Sequence, residues 1–319
     1  MKNDMKRIVA IKPYQHKDSI NFKTTPYTAW EKLGGATGKG FFPSRWLHGM
    51  AFRYEMPTLW RDEGTAKLMF VEPVSITFDT FPYYACNEVI PFIWDCWPQY
   101  YDRMEKWMRK HRIKTAIFTS RQEMEAMQQR LPEIVMIHCP EAVDTSLYSQ
   151  GKNLRDRDID LLEFGRSNAK IVGAEGVEGI KHVTTYQDGR YIFSNEELFD
   201  AMRNAKTTIC LPRSMTHPET AQGIETLTQR YWEAMLSRIV IIGHAPKELT
   251  ELTGYNPVVT LDMENAQEQI RDVIRNIEKY QDLADKNRVT ALTNGDWKKR
   301  MDQLMTRLGE LGYNIGRSN

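Results

Sequence analysis

The stretch GIETLTQRYWEAMLSRIVIIGHAP, residues 223–246, decides how this chain is read. Thr226 and Gln229 have the T-x-x-Q spacing of a capping box, which predicts a helix opening near Leu227. RIVIIG (238–243) then reads as a buried strand closed by a glycine, and His244 begins the loop beyond it. Glu225 stands just outside the predicted helix, at its positive end, and Glu233 stands within it. Eight helical positions rise about 12 Å and turn about 80° beyond two full turns, so both carboxylates can face one ligand. Carboxylates accept hydrogen bonds from sugar hydroxyls, and free N–H groups around Thr226 to Thr228 favour an anion. A molecule with hydroxyls at both ends and an anionic middle fits this plan, as a nucleotide sugar does. The plain alternative is a glutamate favoured by the helix dipole and a second one solvated on the helix.

The rest of the chain repeats the rhythm of buried strand and amphipathic helix. RIVAI (7–11), KLMFV (67–71), VIPFIW (89–94), TAIFTS (115–120) and IVMIHCP (134–140) predict strands. QYYDRMEKWMRKHR (99–112) predicts a helix with Tyr100, Met104, Trp107 and Met108 on one face, and RQEMEAMQQRL (121–131) a second. TSLYSQGKNLRDRD (145–158) is polar and aperiodic, and the domain boundary is placed there. The rhythm restarts with IDLLEFG (159–165), HVTTYQ (182–187), TTICLP (207–212), RIVIIG and PVVTLD (257–262) as strands. NEELFDAMRNA (195–205) predicts a helix capped by Ser194 or Asn195. AQEQIRDVIRNIEKYQDLA (266–284) predicts another, and a last helix follows TNGD. The expected fold class is α/β, with two Rossmann-like domains and a cleft between them. The first domain spans 1–150 and the second 151–292, while 293–319 form a C-terminal helix with the first domain as its packing surface.

Length and composition agree with two ordinary globular domains. The chain has 319 residues, 41% hydrophobic and 27% charged, with a formal net charge of +1. Such a balance points to no nucleic-acid partner. Cys86, Cys96, Cys139 and Cys210 have neither zinc nor disulfide spacing, so they read as reduced thiols of a cytoplasmic protein. No apolar run reaches the 18 or so residues of a membrane span. Peripheral contact with the inner face of a membrane stays open.

In open α/β sheets ligands bind beyond the carboxyl ends of the strands. That rule selects GRSNAK, PRSMTHPETAQ and GHAP in the second half, and KPYQ and WDCWP in the first. Arg213 follows a strand end just before the glutamate loop. His217 and His244 lie in the same set of loops, as ligand contacts or as ordinary loop histidines.

ETLTQRYWEAMLSRIVIIG resembles the E-x7-E segment of the group 1 nucleotide-sugar glycosyltransferases, which have the GT-B fold. LLEFGR (161–166) resembles that family's first strand of the C-terminal domain, and AVDTSLY (142–148) the segment closing its N-terminal domain. The three pieces cover residues 142 to about 262 in the family's order. The resemblance implies transfer of a sugar from a nucleotide diphosphate donor to a hydroxyl on a glycan, a lipid-linked saccharide or a small acceptor, as in polysaccharide biosynthesis. It implies that Glu233 holds the ribose and that Glu225 contacts the donor sugar. Arg166 and Lys170 would neutralise the diphosphate, with Thr226 and Leu227 at the helix mouth and no metal required. Retention of anomeric configuration is implied as well.

There are departures. The family's glycines after the first glutamate are replaced by Thr226, Leu227 and Thr228. Ile171, not glycine, follows Lys170. Trp94 stands where the family often has a histidine beside an aspartate. Asp95 then becomes a candidate acid, base or sugar contact, or a strand-end cap. LGGATGKGFF (33–42) lacks the spacing of a P-loop. By the resemblance Gly34 and Gly35 lean over the donor diphosphate; otherwise they form an acceptor-side loop or a turn. RDRDID (155–160) precedes a strand, so its D-x-D reads as solvated charge. FPSRWLHGMAFRYEMPTLWR (42–61) suits stacking on an acceptor, lipid headgroups, or a half-buried helix. The rival functions are a nucleotide-sugar epimerase or hydrolase of the same fold, and a two-lobed binding protein without activity.

Overall fold

The computed structural model describes residues 5–12, 24–40, 49, 53, 55–57, 61–165, 168, 170–174, 177–187 and 190–316. The chain divides into two compact units, 1–140 with 297–319, and 141–296. Strands are β1 (Lys6–Lys12), β2 (Thr37–Lys39), β3 (Asp62–Val71), β4 (Asn87–Ile93), β5 (Thr115–Phe118) and β6 (Val135–His138), then β7 (Ile159–Glu163), β8 (His182–Thr184), β9 (Tyr186–Gln187), β10 (Arg190–Tyr191), β11 (Ala205–Cys210), β12 (Val240–Gly243), β13 (Val259–Thr260) and β14 (Tyr313–Asn314).

In the first unit the sheet order is β14-β1-β3-β4-β5-β6, with β2 beside β1, and every pairing is parallel. All seven residues of β4 are buried, as a central parallel strand with both faces covered requires. On one face Ile11, Met69, Val71, Ile93 and Phe118 pack with Met104, Trp107 and Met108 of the helix Tyr101–Lys110. Tyr101 joins this stripe, and the predicted Tyr100, in the preceding 3-10 turn Pro98–Tyr100, packs half-buried against the same core. Phe92 stacks on Phe70 at 4.3 Å and meets Trp297 of the last helix, Trp297–Glu310, edge-on at 6.4 Å. The buried Glu88 carboxylate accepts from Lys6 Nζ at 2.7 Å and from Tyr313 Oη at 2.6 Å. The C-terminal strand is thereby tied to the middle of this sheet.

The second unit is a five-stranded parallel sheet in the order β13-β12-β11-β7-β8. Alternate residues serve opposite faces. Leu162, Cys210 and Ile241 meet Tyr231, Trp232 and Met235 on one side, while Leu161, Ile209 and Ile242 meet Ile270 and Val273 on the other. This period of two with a core on each face is the mark of a doubly wound sheet. HVTTYQ is not one strand: β8 ends at Thr184, and Tyr186–Gln187 pair antiparallel with Arg190–Tyr191. The helix predicted over 266–284 breaks at Asn276 into Ala266–Arg275 and, after a 3-10 turn, Gln281–Asn294.

The polar run 145–158 belongs to the body of the second unit. Arg157 is 2% exposed and donates to the carbonyls of Lys152, Gln150, Ala205 and Ser237. One guanidinium thus holds a segment that lacks an apolar stripe of its own. Asp156 and Asp158 are exposed.

Candidate functional site

The strand order of the second unit reverses between β7 and β11: β8 lies to one side of β7, and β11, β12 and β13 follow on the other. The loops leaving the carboxyl ends of these two strands form the topological switch point, where open α/β sheets bind ligands. Past β7 the chain turns at Gly165, φ +74°, a conformation open to glycine. The loop is fixed from below. Glu163 Oε1 accepts the Asn168 N–H at 2.6 Å, its Oε2 lies 3.2 Å from His182 Nε2, and Asn168 Nδ2 donates to the Ile209 carbonyl at 3.2 Å. Asn168 therefore bridges β7 and β11 at the switch point. Arg166 lies outside the described residues. Lys170 is exposed on the turn that follows.

β12 closes on Gly243, where an added Cβ would sit 1.9 Å from the Cys210 carbonyl oxygen. That close approach brings His244 to the sheet edge, with its N–H on the Cys210 carbonyl at 3.1 Å. His244 Nε2 then lies 3.0 Å from Glu225 Oε1. Both groups are partly exposed, so this pair remains accessible to a ligand. Arg213, half-buried, opens the single helical turn Arg213–Thr216 directly beyond β11. His217 is exposed, with Nδ1 3.0 Å from Thr216 Oγ1.

The helix after Glu225 differs from its predicted form. It runs from Gln229 to Leu236 with Thr228 at the N-cap, and no side chain caps it locally. The capping box of Thr226 and Gln229 does not form. Glu141 supplies the cap instead: its Oε2 accepts the Gln229 N–H at 3.2 Å, and its carbonyl accepts Trp232 Nε1 at 2.9 Å. A carboxylate already meets the positive helix end. Thr226 and Leu227 are 6% and 1% exposed, and Leu227 packs in the core. The helical rise between the two glutamates is likewise lost, since 225–228 are not helical.

Glu233 is 5% exposed, and its Oε1 accepts from Tyr148 Oη at 2.8 Å. Burial raises its pKa above the usual carboxyl range, against the opposing effects of the Tyr148 hydrogen bond and the Arg230 cation. Burial also pushes the Cys210 thiol up to about 11. Tyr148, Arg230, Asn168 and Glu141 are site residues that the sequence reading missed. Arg230 was visible as the lone cation of the stretch QRYWEAML. Tyr148 and Glu141 carried no local signal, because their partners lie 85 and 88 positions away.

In the first unit, Asp95 follows β4 at its carboxyl end. It is exposed and adopts φ +54°. A non-glycine residue in this region is uncommon, aspartate less so than most, and such residues concentrate at functional sites. The next amide, Cys96 N–H, donates to Glu123 Oε2 at 3.1 Å, which holds the turn. Gly34 and Gly35 terminate the helix Thr25–Lys32, their N–H groups donating to the Glu31 and Trp30 carbonyls at 2.9 and 3.0 Å. Those amides serve the helix end, and Gly35 leaves room for the Trp30 indole. Most of 42–61 lies outside the described residues.

Two parallel α/β units in tandem, the second doubly wound, define the fold class of the GT-B glycosyltransferases. Over 96% of its length the chain is similar to sucrose-phosphate synthase from Thermosynechococcus elongatus, at 12% identity, with 99% of that chain covered and a TM-score of 0.60. It is similar over 96% to AviGT4, a glycosyltransferase involved in avilamycin A biosynthesis, at 12% identity, 98% of that chain and a TM-score of 0.56. HepE from Anabaena, solved in complex with UDP and glucose, is similar over 96% at 9% identity, 100% of that chain and a TM-score of 0.50. At these identities the likeness is one of fold. No protein-family model matches the sequence, and no curated protein matches it. Among the described residues no helix is long and apolar enough to cross a membrane.

Proposed function

We propose that this protein is a glycosyltransferase that takes a sugar from a nucleotide diphosphate donor bound at the switch point of its second unit. The observation that carries the proposal is the Glu225–His244 pair, 3.0 Å apart and partly exposed at the carboxyl edge of the sheet. A carboxylate and an imidazole there offer an acceptor and a donor to adjacent sugar hydroxyls. A doubly wound sheet binds nucleotides at this edge, and a protein of similar fold was solved with UDP and glucose.

In this reading Glu225 and His244 orient the donor sugar. Glu233 takes the ribose hydroxyls, with Tyr148 fixing its carboxylate. Arg213 and Lys170, with Arg166, stabilise the charge that grows on the leaving diphosphate. Thr226 and Leu227 contribute through their backbone, since their side chains are buried. Asp95, exposed at the carboxyl end of its strand in the first unit, is the candidate acid, base or sugar contact. No metal is invoked where guanidinium and ammonium groups do this work. The acceptor is a hydroxyl of a glycan, a lipid-linked saccharide or a small molecule, and retention of configuration belongs to the proposal.

The test is incubation with a panel of nucleotide sugars and acceptors, followed by mass and anomeric NMR analysis of products. A new glycosidic bond with release of nucleoside diphosphate supports the reading. Free sugar or an isomerised donor, with no glycoside across the panel, favours hydrolysis or epimerisation instead.

A further inference from the structure

The positive end of the helix Gln229–Leu236 already holds an anion, since Gln229 N–H donates to Glu141 Oε2. A second anion placed there meets a carboxylate of like charge. Seven of the eight residues of this helix are buried, and Arg230 is the exception. Its stem runs over the turn after β7: an added Cβ at Gly165 would lie 2.8 Å from Arg230 Cδ. Glycine at 165 therefore serves two needs, the positive φ and the passage of this side chain. Its cation favours the anionic forms of the buried Glu233 and Cys210. Gly165 and Cys210 mark the carboxyl ends of β7 and β11, where the strand order reverses.

We propose that Arg230 is a further anion-binding residue for the donor diphosphate, beside Arg213, Lys170 and Arg166, doing by side chain what the occupied amides of the helix end do not. This inference rests on the nucleotide-sugar reading above. A guanidinium presents a planar fork of donors that matches two phosphate oxygens at once. The helix is held by its buried neighbours and the turn by Asn168, so the stem of Arg230 is positioned before the ligand arrives. The replacement of the family's glycines by Thr226, Leu227 and Thr228 is then intelligible. Those positions build the core and the loop, while the charge of the donor is met one turn further on.

The test is calorimetric titration with UDP, GDP, ADP and CDP, each beside its nucleoside, on wild type, Arg230→Met and Arg230→Gln. In wild type the diphosphate should bind more tightly than its nucleoside. Arg230→Met should lose tenfold or more of that gain while keeping the nucleoside affinity. Arg230→Gln, neutral and polar, gives the same reading where the methionine variant does not fold. Wild-type diphosphate affinity in a folded neutral variant overturns the assignment of Arg230 and leaves the donor reading intact. A wild type that binds none of the four diphosphates overturns the donor reading, and this inference with it.

Discussion

Glu233 is a carboxyl that folding places at a disadvantage. It is buried, and one tyrosine hydroxyl is its closest hydrogen-bond donor. Its raised pKa means that the folded chain holds this proton more tightly than the unfolded one, whose value is about 4.3. The stability linked to it is complete below that value and is lost as pH rises through the folded one. Glu233→Gln should therefore melt higher than wild type at pH 7, with the gap closing toward pH 4. The same variant should lose nucleoside diphosphate binding. Melting curves across pH, paired with titrations, check both; a variant less stable at pH 7 would show that the carboxylate is compensated. Gly165 makes a second residue-scale prediction. Gly165→Ala strains a turn at φ +74° and should cost about 1–2 kcal/mol in denaturant unfolding.

At the scale of elements, the helix Gln229–Leu236 shows what a sequence does and does not disclose. Its apolar run and the strand behind it were legible, because burial imposes a pattern on neighbouring residues. Its first residue was not. The T-x-x-Q spacing satisfied a local rule, yet the cap came from Glu141, far away in the chain. By contrast, Ser194 and Glu197 form the predicted kind of local cap, in a complete capping box on the helix Asn195–Asn204. The difference is sequence separation: local hydrogen bonds can be read from spacing, and long-range ones cannot. Glu141→Gln should keep the fold and lose about 0.3–1 kcal/mol through the weaker charge at the helix end. Chemical denaturation would measure it, and a neutral result would mean the contact contributes nothing there. Ser194→Ala should cost about 1 kcal/mol by the loss of its own cap.

At the scale of the molecule, the parallel α/β rhythm was legible in both halves, and so was the edge of the second sheet where its loops converge. The two-residue strand Tyr313–Asn314 was not, since so short a segment has no period to read. It is held by a buried contact instead. Burial would raise the Glu88 carboxyl, but the hydrogen bonds of Lys6 and Tyr313, with the charges of Lys6 and Lys114, together outweigh it and keep it below the usual range. The stability from this pair is thus present above about pH 4.3 and is lost as pH falls through the folded value. Tyr313→Phe should cost about 1.5–3 kcal/mol, the range for a hydrogen bond to a charged group. Hydrogen exchange should show the loss in β1, β3 and β4 of the first unit, with the second unit unchanged.

The central claim is that a nucleotide diphosphate sits at the carboxyl edge of the second sheet, across the ends of β7, β11 and β12. Hydrogen exchange with and without saturating nucleoside diphosphate tests it most directly. The account predicts slowed exchange in 163–170, 210–214, 225–230 and 243–245. Slowed exchange confined to other loops, with those four segments unaltered by a ligand that demonstrably binds, would contradict it.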